Sequence, residues 1–141
     1  PGGGTTDYAV SIYHEALKAK TFECFLSENT YLPMLYMPDA IRATLELMHT
    51  DASNVKIRSS YNLAGISFSP KEITAAIQQH IPEFSITYKP DSRQQIADSW
   101  PQSINDMVAQ QDWDWKLGYD LNKMTADMLL NLKDTYSKNQ Q

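Results

Sequence analysis

The sequence predicts an α/β fold, because helices and short strands alternate along the chain. Residues 8–18 have the periodicity of an amphipathic helix, and the run of β-forming residues at 21–26 (TFECFL) follows directly. The same order returns later, where a helix that opens at Ser69 precedes the alternating apolar residues of 84–88. Strands separated by helices favour an α/β fold over a helical bundle or a β-sandwich. The visible strands are few for a self-contained parallel sheet, whose two faces are normally covered.

The individual helices are predicted from apolar spacing and from residues that begin or end a helix. Tyr8–Lys18 is predicted as the first helix, with Thr6 or Asp7 at its start. The most specific local signal is Ser69-Pro70-Lys71-Glu72, a capping box with proline at the first helical position. The other predicted elements are a strand over Val55–Leu63, a helix from Pro38-Asp39 with Ile41, Leu45 and Met48 on one face, a helix around Ile104–Gln110 and a helix over Leu121–Tyr136.

Composition excludes several classes of function. The 141 residues, of which 42% are hydrophobic and 21% charged, are typical of one globular domain. No apolar run approaches the ~20 residues of a membrane span, and no signal peptide opens the chain, so a cytoplasmic protein without a membrane partner is predicted. The formal charge of −5 argues against nucleic acid as a partner. The single cysteine, Cys24, excludes a disulfide within this chain.

The glycine-rich opening at residues 2–6 is the first candidate site. Backbone amides ahead of a helix could hold an anion or a carboxylate at the positive end of that helix. The spacing matches neither GxGxxG nor GxxxxGK[ST], so neither standard phosphate motif is present. A flexible linker explains the same residues equally well, and the spacing alone does not separate the two interpretations.

Trp100 is the second candidate, within the sequence Ser99-Trp100-Pro101. A residue before proline is restricted to extended conformations, so Trp100 is predicted in a loop of the irregular stretch 91–103. A loop tryptophan can form the wall of a small-ligand pocket. It can also cover the core, and the residues alone favour that second role.

Two further patterns are interpreted as structural. Tyr119 and Lys123 match YxxxK, in which lysine lowers the pKa of a proton-exchanging tyrosine, but Gly118 precedes the pair and Asp120 is typical of a helix cap. The three histidines fall on three different predicted helices, and Cys24 has no partner at ligand spacing, so no metal site is predicted. Trp113 and Trp115 are predicted to pack, and the neighbouring Asp112 and Asp114 to face solvent.

Four segments resemble the epimerase-like, extended short-chain L-threonine 3-dehydrogenases. They are PGGGTTDYAV, LPMLYMPDAIRATLELM, SSYNLAGISFSPKEI and RQQIADSWPQSINDMVAQQDWDW, which occur in the family's order. The resemblance implies that residues 1–141 are the C-terminal substrate-binding part of an extended short-chain dehydrogenase (Rossmann-type) fold. The N-terminal nucleotide-binding half, with its NAD site and catalytic tyrosine-lysine pair, is then expected upstream of Pro1 and missing from this chain.

The resemblance also implies a reaction and a site. The intact protein is expected to oxidise L-threonine to 2-amino-3-oxobutyrate with NAD, and to be a homodimer. Gly4, Thr5 and Thr6 are expected to line the substrate pocket, with Trp100 on its opposite side, while no catalytic, cofactor-binding or metal-binding residue is expected in this chain. Alone, the chain is expected to be inactive and to expose a large apolar surface. The alternatives are a sugar-nucleotide epimerase or dehydratase relative, and a non-catalytic binding or dimerisation module.

Overall fold

A computed structural model describes residues 4–138, and the predicted α/β fold is confirmed. Helices and short strands alternate over most of this part of the chain. In chain order the elements are α1 (Tyr8–Lys18), β1 (Thr21–Cys24), β2 (Leu32–Met34), α2 (Met37–His49), β3 (Ile66–Phe68), α3 (Pro70–Gln78), β4 (Ser85–Tyr88), α4 (Arg93–Asp98), α5 (Met107–Trp113) and α6 (Leu121–Lys138).

The strands form two separate two-stranded sheets. β1 and β4 are parallel, with Thr21 opposite Ser85 and Cys24 opposite Tyr88. Because parallel strands need a long connection, the chain between them is free to build β2, α2, β3 and α3. β2 and β3 are antiparallel, and Leu32 lies opposite Phe68.

The main core lies between α1, the β1–β4 pair, α3 and α6. The alternation of β1 directs Phe22 and Cys24 inward and leaves Thr21 and Glu23 exposed. The largest fully buried side chains of this core include Tyr8, Ile12, Tyr13, Leu26, Phe68, Ile73, Ile77 and Phe84. A buried hydrogen bond of 2.9 Å between the Tyr13 and Thr125 hydroxyls joins α1 to α6.

The capping box that begins α3 is confirmed. The Ser69 hydroxyl accepts a hydrogen bond from the Glu72 N–H at 3.3 Å, and the Glu72 carboxylate accepts one from the Ser69 N–H at 3.0 Å. These two bonds satisfy donors that a helix N-terminus otherwise leaves unpaired. The predicted start of α3 at Pro70 follows from them.

A second cluster, here called the tryptophan cluster, consists of Ala43, Ala109, Trp113 and Trp115. The guanidinium carbon of Arg42 lies 4.5 Å from the centre of the Trp115 ring, a cation–π arrangement. The predicted packing role of both tryptophans is confirmed by their burial.

Asp39 joins α2 to the start of α6. Its fully buried carboxylate accepts hydrogen bonds from the backbone N–H groups of Gly118 and Tyr119 at 3.0–3.1 Å, and pairs with Arg42 at 2.9 Å. A Cβ at position 118 would lie 2.7 Å from the Asp39 carboxylate, so this close approach requires glycine.

Several predicted elements were wrong. Val55–Leu63 is not a strand but irregular chain that packs beside the tryptophan cluster through Tyr61 and Leu63. The stretch 91–103 contains a helix, α4, and the next helix begins at Met107 rather than near Ile104.

The apolar face of α2 is exposed rather than buried. Ile41 is 57% exposed, and Met37, Leu45 and Met48 on the same side are at least half exposed. This row of four residues, here called the α2 stripe, agrees with the expectation that the chain exposes an apolar surface. Among residues 4–138 no helix has both the length and the apolar character needed to cross a membrane.

Candidate functional site

Trp100 lines a cavity of about 430 Å³, here called the Trp100 pocket. The loop after β1 forms one side of the pocket, and α4 with the residues that follow it forms the other. The nine lining residues are Ser27, Asn29, Thr30, Tyr31, Gln94, Ala97, Asp98, Trp100 and Gln102.

Gln94 fixes the two sides of the pocket to each other. Its side-chain oxygen accepts a hydrogen bond from the Ser27 N–H at 2.8 Å. Its amide nitrogen lies 3.0 Å from the Thr30 hydroxyl and donates to Asp98 Oδ1 at 2.6 Å. The loop, α4 and the Asp98 carboxylate therefore form one hydrogen-bonded unit.

Trp100 follows α4 in a loop, as predicted. Its backbone N–H donates to the carbonyl of Ala97 at 3.1 Å, and Pro101 then prevents continuation of the helix. The side chain is 43% exposed, so it forms a pocket wall rather than a cover over the main core. Beyond it, the Ser67 hydroxyl donates to the carbonyl of Gln102 and holds this segment against β3.

The turn at residues 4–7 precedes α1. The Gly4 N–H donates to the Asp7 carboxylate at 2.7 Å, and the Asp7 N–H donates back to the Gly4 carbonyl at 3.2 Å. Thr5 is buried, Thr6 is half-buried and Gly4 is exposed. Gly2 and Gly3 lie outside the described residues. None of Gly4, Thr5 and Thr6 lines the Trp100 pocket, so the structure does not bring the two predicted halves of the site into that one cavity.

Arg93 lies between these two regions. Its guanidinium forms a fork on the Asp91 carboxylate with N···O distances of 2.5–3.0 Å, and its carbon lies 3.2 Å from the centre of the Phe25 ring. The hydrogen bonds that Arg93 donates to Asp91 raise the pKa of Arg93, and the charges of Asp91 and Asp7 add to this effect. The guanidinium of Arg93 is thus engaged mainly by Asp91 and by the Phe25 ring.

A separate apolar groove of about 280 Å³ runs beside α1, the end of β2 and α6. It is lined by Ala9, Val10, Tyr13, Met34, Leu35, Tyr36, Met37, Phe68, Met124 and Met128. Met37 belongs both to this groove and to the α2 stripe, so the two apolar surfaces adjoin.

The remaining candidate residues make contacts that are typical of a structural role. The Lys123 ammonium donates to the Gly118 carbonyl at 2.8 Å and lies 4.5 Å from the centre of the Tyr119 ring, while Asp120 caps α6 by accepting from the Lys123 N–H. Cys24 is fully buried, and burial raises the pKa of its thiol. Within the described range no three His, Cys, Asp or Glu side chains are grouped to hold a metal ion.

The prediction for Asp112 was wrong. Its side chain is only 6% exposed, accepts a hydrogen bond from the Tyr61 hydroxyl at 2.8 Å and pairs with Lys56 at 3.4 Å. Asp114 faces solvent as predicted, in a left-handed conformation with φ 58°.

Comparison with known proteins gives a consistent result. No family model matches the chain. The bovine protein named mitochondrial L-threonine 3-dehydrogenase is 48% identical over 130 residues, which are 92% of this chain and 35% of the relative. A protein of Staphylococcus haemolyticus, named an uncharacterized epimerase/dehydratase, is 44% identical over 135 residues, 95% of this chain and 42% of the relative.

Solved structures agree with these relatives. The apo GalE-like L-threonine dehydrogenase of Cupriavidus necator matches with a TM-score of 0.89 and 57% identity, over 94% of this chain and 48% of that one. A structure titled monomeric L-threonine 3-dehydrogenase, from a metagenome database, has a TM-score of 0.89 and 50% identity, over 96% and 44%. The chain thus spans less than half of the length of these relatives.

The fold and these similarities identify the chain as a portion of an epimerase-like short-chain dehydrogenase. Within that family it is similar to the C-terminal part of the L-threonine 3-dehydrogenases. The resemblance carried by its four sequence segments is confirmed.

Proposed function

We propose that the whole protein is an NAD-dependent L-threonine 3-dehydrogenase and that this chain forms its substrate-facing part. The reaction removes a hydride from C3 of L-threonine to NAD⁺ and a proton from the C3 hydroxyl, giving 2-amino-3-oxobutyrate and NADH. The observation that supports a small amino acid is the Trp100 pocket, which combines a flat aromatic wall with polar groups and no cation.

The binding of NAD is proposed for the rest of the whole protein. Gly65 and Gly118 do not lie between a strand and the helix that follows it, where a pyrophosphate would be cradled, and the spacing at Gly4 matches no standard phosphate motif. We assign no residue of this chain to NAD, and we propose that the chain alone is inactive. Its own residues bind and orient the amino acid and exclude water from it.

Trp100, Gly4, Thr5 and Thr6 are proposed as the substrate-binding residues. Trp100 supplies one wall of the substrate site, and the Gly4–Asp7 turn ahead of α1 supplies the opposite side. Because the turn does not line the Trp100 pocket, the proposal requires the substrate to bridge the space between them.

A sugar-nucleotide epimerase or dehydratase is the alternative that the staphylococcal relative keeps open. Its pyrophosphate would need cationic partners. Arg93 is engaged by Asp91, and Asp98 is the only charged residue among the nine that line the Trp100 pocket. This charge arrangement favours the amino acid.

We also propose, from the family resemblance, that the whole protein is a homodimer and is located in the cytoplasm. A neighbour with 50% identity is titled monomeric, and the bovine relative is named mitochondrial, so neither property extends to the whole family.

The experiment that tests the main proposal uses the full-length protein that contains this chain. It is incubated with NAD and L-threonine, and then with a UDP-hexose, and NADH and sugar products are followed. We expect NADH from L-threonine and no change in the sugar. No NADH from L-threonine would refute the proposal, and conversion of the sugar would establish the alternative.

The remaining hypothesis, a non-catalytic binding or dimerisation module, is tested on the full-length protein as well. Calorimetric titration with L-threonine in the presence of NAD reports binding, and the same sample reports turnover. Binding without turnover would identify a module, whereas binding with turnover supports the dehydrogenase.

A further inference from the structure

Asp98 occupies an unusual place for a carboxylate. It is the last residue of α4, where the unpaired carbonyl groups of a helix end carry partial negative charge and favour cations instead. Asp98 is exposed at the end of this six-residue helix, on the side that lines the Trp100 pocket.

The described chain does not neutralise this carboxylate. Asp98 Oδ1 accepts the 2.6 Å hydrogen bond from Gln94, and no Lys, Arg or His among residues 4–138 lies within 4.0 Å of either oxygen. Arg93, on the same helix, is directed to Asp91 and to the ring of Phe25. One carboxylate oxygen thus remains available on the wall of a pocket.

The same pocket presents the partly exposed indole of Trp100. A carboxylate beside an aromatic face is the combination that attracts an ammonium group, through charge pairing and through the cation–π interaction. Gln94 also fixes the orientation of the carboxylate, because it is itself tied to Ser27 and Thr30. Such fixation reduces the conformational entropy that ligand binding would otherwise cost.

We propose that Asp98 binds the α-ammonium group of the substrate, against the indole of Trp100. The site would thereby select a hydroxy amino acid over a hydroxy acid that lacks the ammonium group. This inference rests on the proposed function and names the group that gives the site its specificity. The polar side chains of Asn29, on the side of the loop after β1, and of Gln102, on the side of α4, remain for the uncharged parts of the ligand.

The test compares L-threonine with (R)-3-hydroxybutyrate, which has the same C3 configuration and lacks only the ammonium group. Asp98→Asn keeps the size of the side chain and an oxygen that accepts from Gln94, but removes the charge. In the full-length enzyme we expect kcat/KM for L-threonine to fall about 10- to 100-fold, mainly through KM. The value for (R)-3-hydroxybutyrate, measured as kcat/KM or as an inhibition constant, should stay the same or improve.

Two variants complete the test. Asp98→Glu retains the charge and should recover part of the loss, whereas Asp134→Asn, an exposed carboxylate on α6, should leave both substrates unchanged. An equal loss with both substrates, which a merely structural role would produce, would overturn the inference, and so would no loss at all. In either case the wild type would still oxidise L-threonine, whereas a wild type without that activity would refute the proposed function and the inference together.

Discussion

The main core and the tryptophan cluster differ in how completely the described chain encloses them. The main core is covered by α1, α3 and α6 around the β1–β4 pair, and its large side chains are almost inaccessible. The tryptophan cluster packs under one side of α2, at Ala43, while the α2 stripe on another side of that helix is exposed. One region is closed by the chain itself and the other is open.

A helix with apolar residues on more than one side is normally buried on each of them. α2 has apolar residues on two sides, and the side that carries the α2 stripe is exposed. The apolar groove that shares Met37 with the stripe extends the open surface. Because the chain spans less than half of its relatives' length, we propose that the rest of the whole protein covers this surface.

The largest expected difference between the two regions comes from two matched isoleucines. Ile12 is fully buried in the main core, and Ile41 is 57% exposed on the α2 stripe. We expect Ile12→Ala to lower the free energy of unfolding by about 2–5 kcal/mol and Ile41→Ala to change it by less than about 0.5 kcal/mol. Urea unfolding of both variants of the isolated chain measures this difference. Equal losses would show that the α2 stripe is already buried in the isolated chain.

Asp39→Asn tests the connection between α2 and α6. The change removes the charge of a carboxylate that accepts hydrogen bonds from two backbone N–H groups and pairs with Arg42. We expect the free energy of unfolding to fall by roughly 2–3 kcal/mol, which is typical of losing hydrogen bonds to a charged group. The loss should be smaller than for a fully buried ion pair, because Arg42 is partly exposed and stays hydrated. Thermal unfolding checks it against Asp134→Asn, and two equal results would contradict the role of Asp39.

The pH dependence of stability should reflect the closed core. Burial raises the pKa of Tyr13 from 10.0 to about 12, against a smaller opposing effect of its hydrogen bond with Thr125. A group that stays neutral in the folded state but ionises in the unfolded state favours unfolding above its unfolded pKa. The contribution of Tyr13 is thus constant below pH 10 and is lost between about pH 10 and 12, by at most about 1.4 kcal/mol per pH unit.

Tyr13→Phe provides the control. It should lower stability at pH 8 by about 1 kcal/mol, because Thr125 loses its partner, and should make the alkaline decrease shallower. Denaturant unfolding at pH 8 and pH 11 measures both effects. An identical alkaline decrease in the stability of the wild type and of Tyr13→Phe would mean that burial does not raise the pKa of Tyr13.

The smallest expected effect lies at the end of α5, beside the tryptophan cluster. Asp114 has φ 58°, a conformation that costs an L-residue about 1 kcal/mol and costs glycine almost nothing. Its ion pair with Lys116 is exposed and contributes little. Asp114→Gly should raise the free energy of unfolding by about 0.5 kcal/mol, and a lower melting temperature would contradict the assignment.

The sequence predicted those parts of the fold that depend on local signals. α1 was predicted with the same bounds and α3 with its start, because helical periodicity and the capping box are properties of neighbouring residues. β1 was predicted from its β-forming residues, with an end two residues too late, and β4 from the alternation of its apolar residues. α4 was not, since six residues are too few to show a period.

The features that the sequence did not predict depend on partner residues far away along the chain. Burial of Asp39 depends on amides almost 80 residues away, and burial of Asp112 depends on Tyr61. Of the site, Trp100 could be singled out because proline follows it. Gln94 and Thr30 could not, because their contact spans 64 residues, although the spacing of Gln94 and Asp98 is that of a helical pair.

The central claim is that this chain forms the amino-acid-facing side of a dehydrogenase site, and Trp100→Ala in the full-length protein tests it most directly. Ile96→Ala, an exposed apolar residue of α4 that does not line the pocket, is the matched control. We expect KM for L-threonine to rise roughly 10-fold in Trp100→Ala alone, from the loss of an aromatic contact, with the affinity for NAD nearly unchanged. Weakened NAD binding with unchanged threonine kinetics would contradict the account.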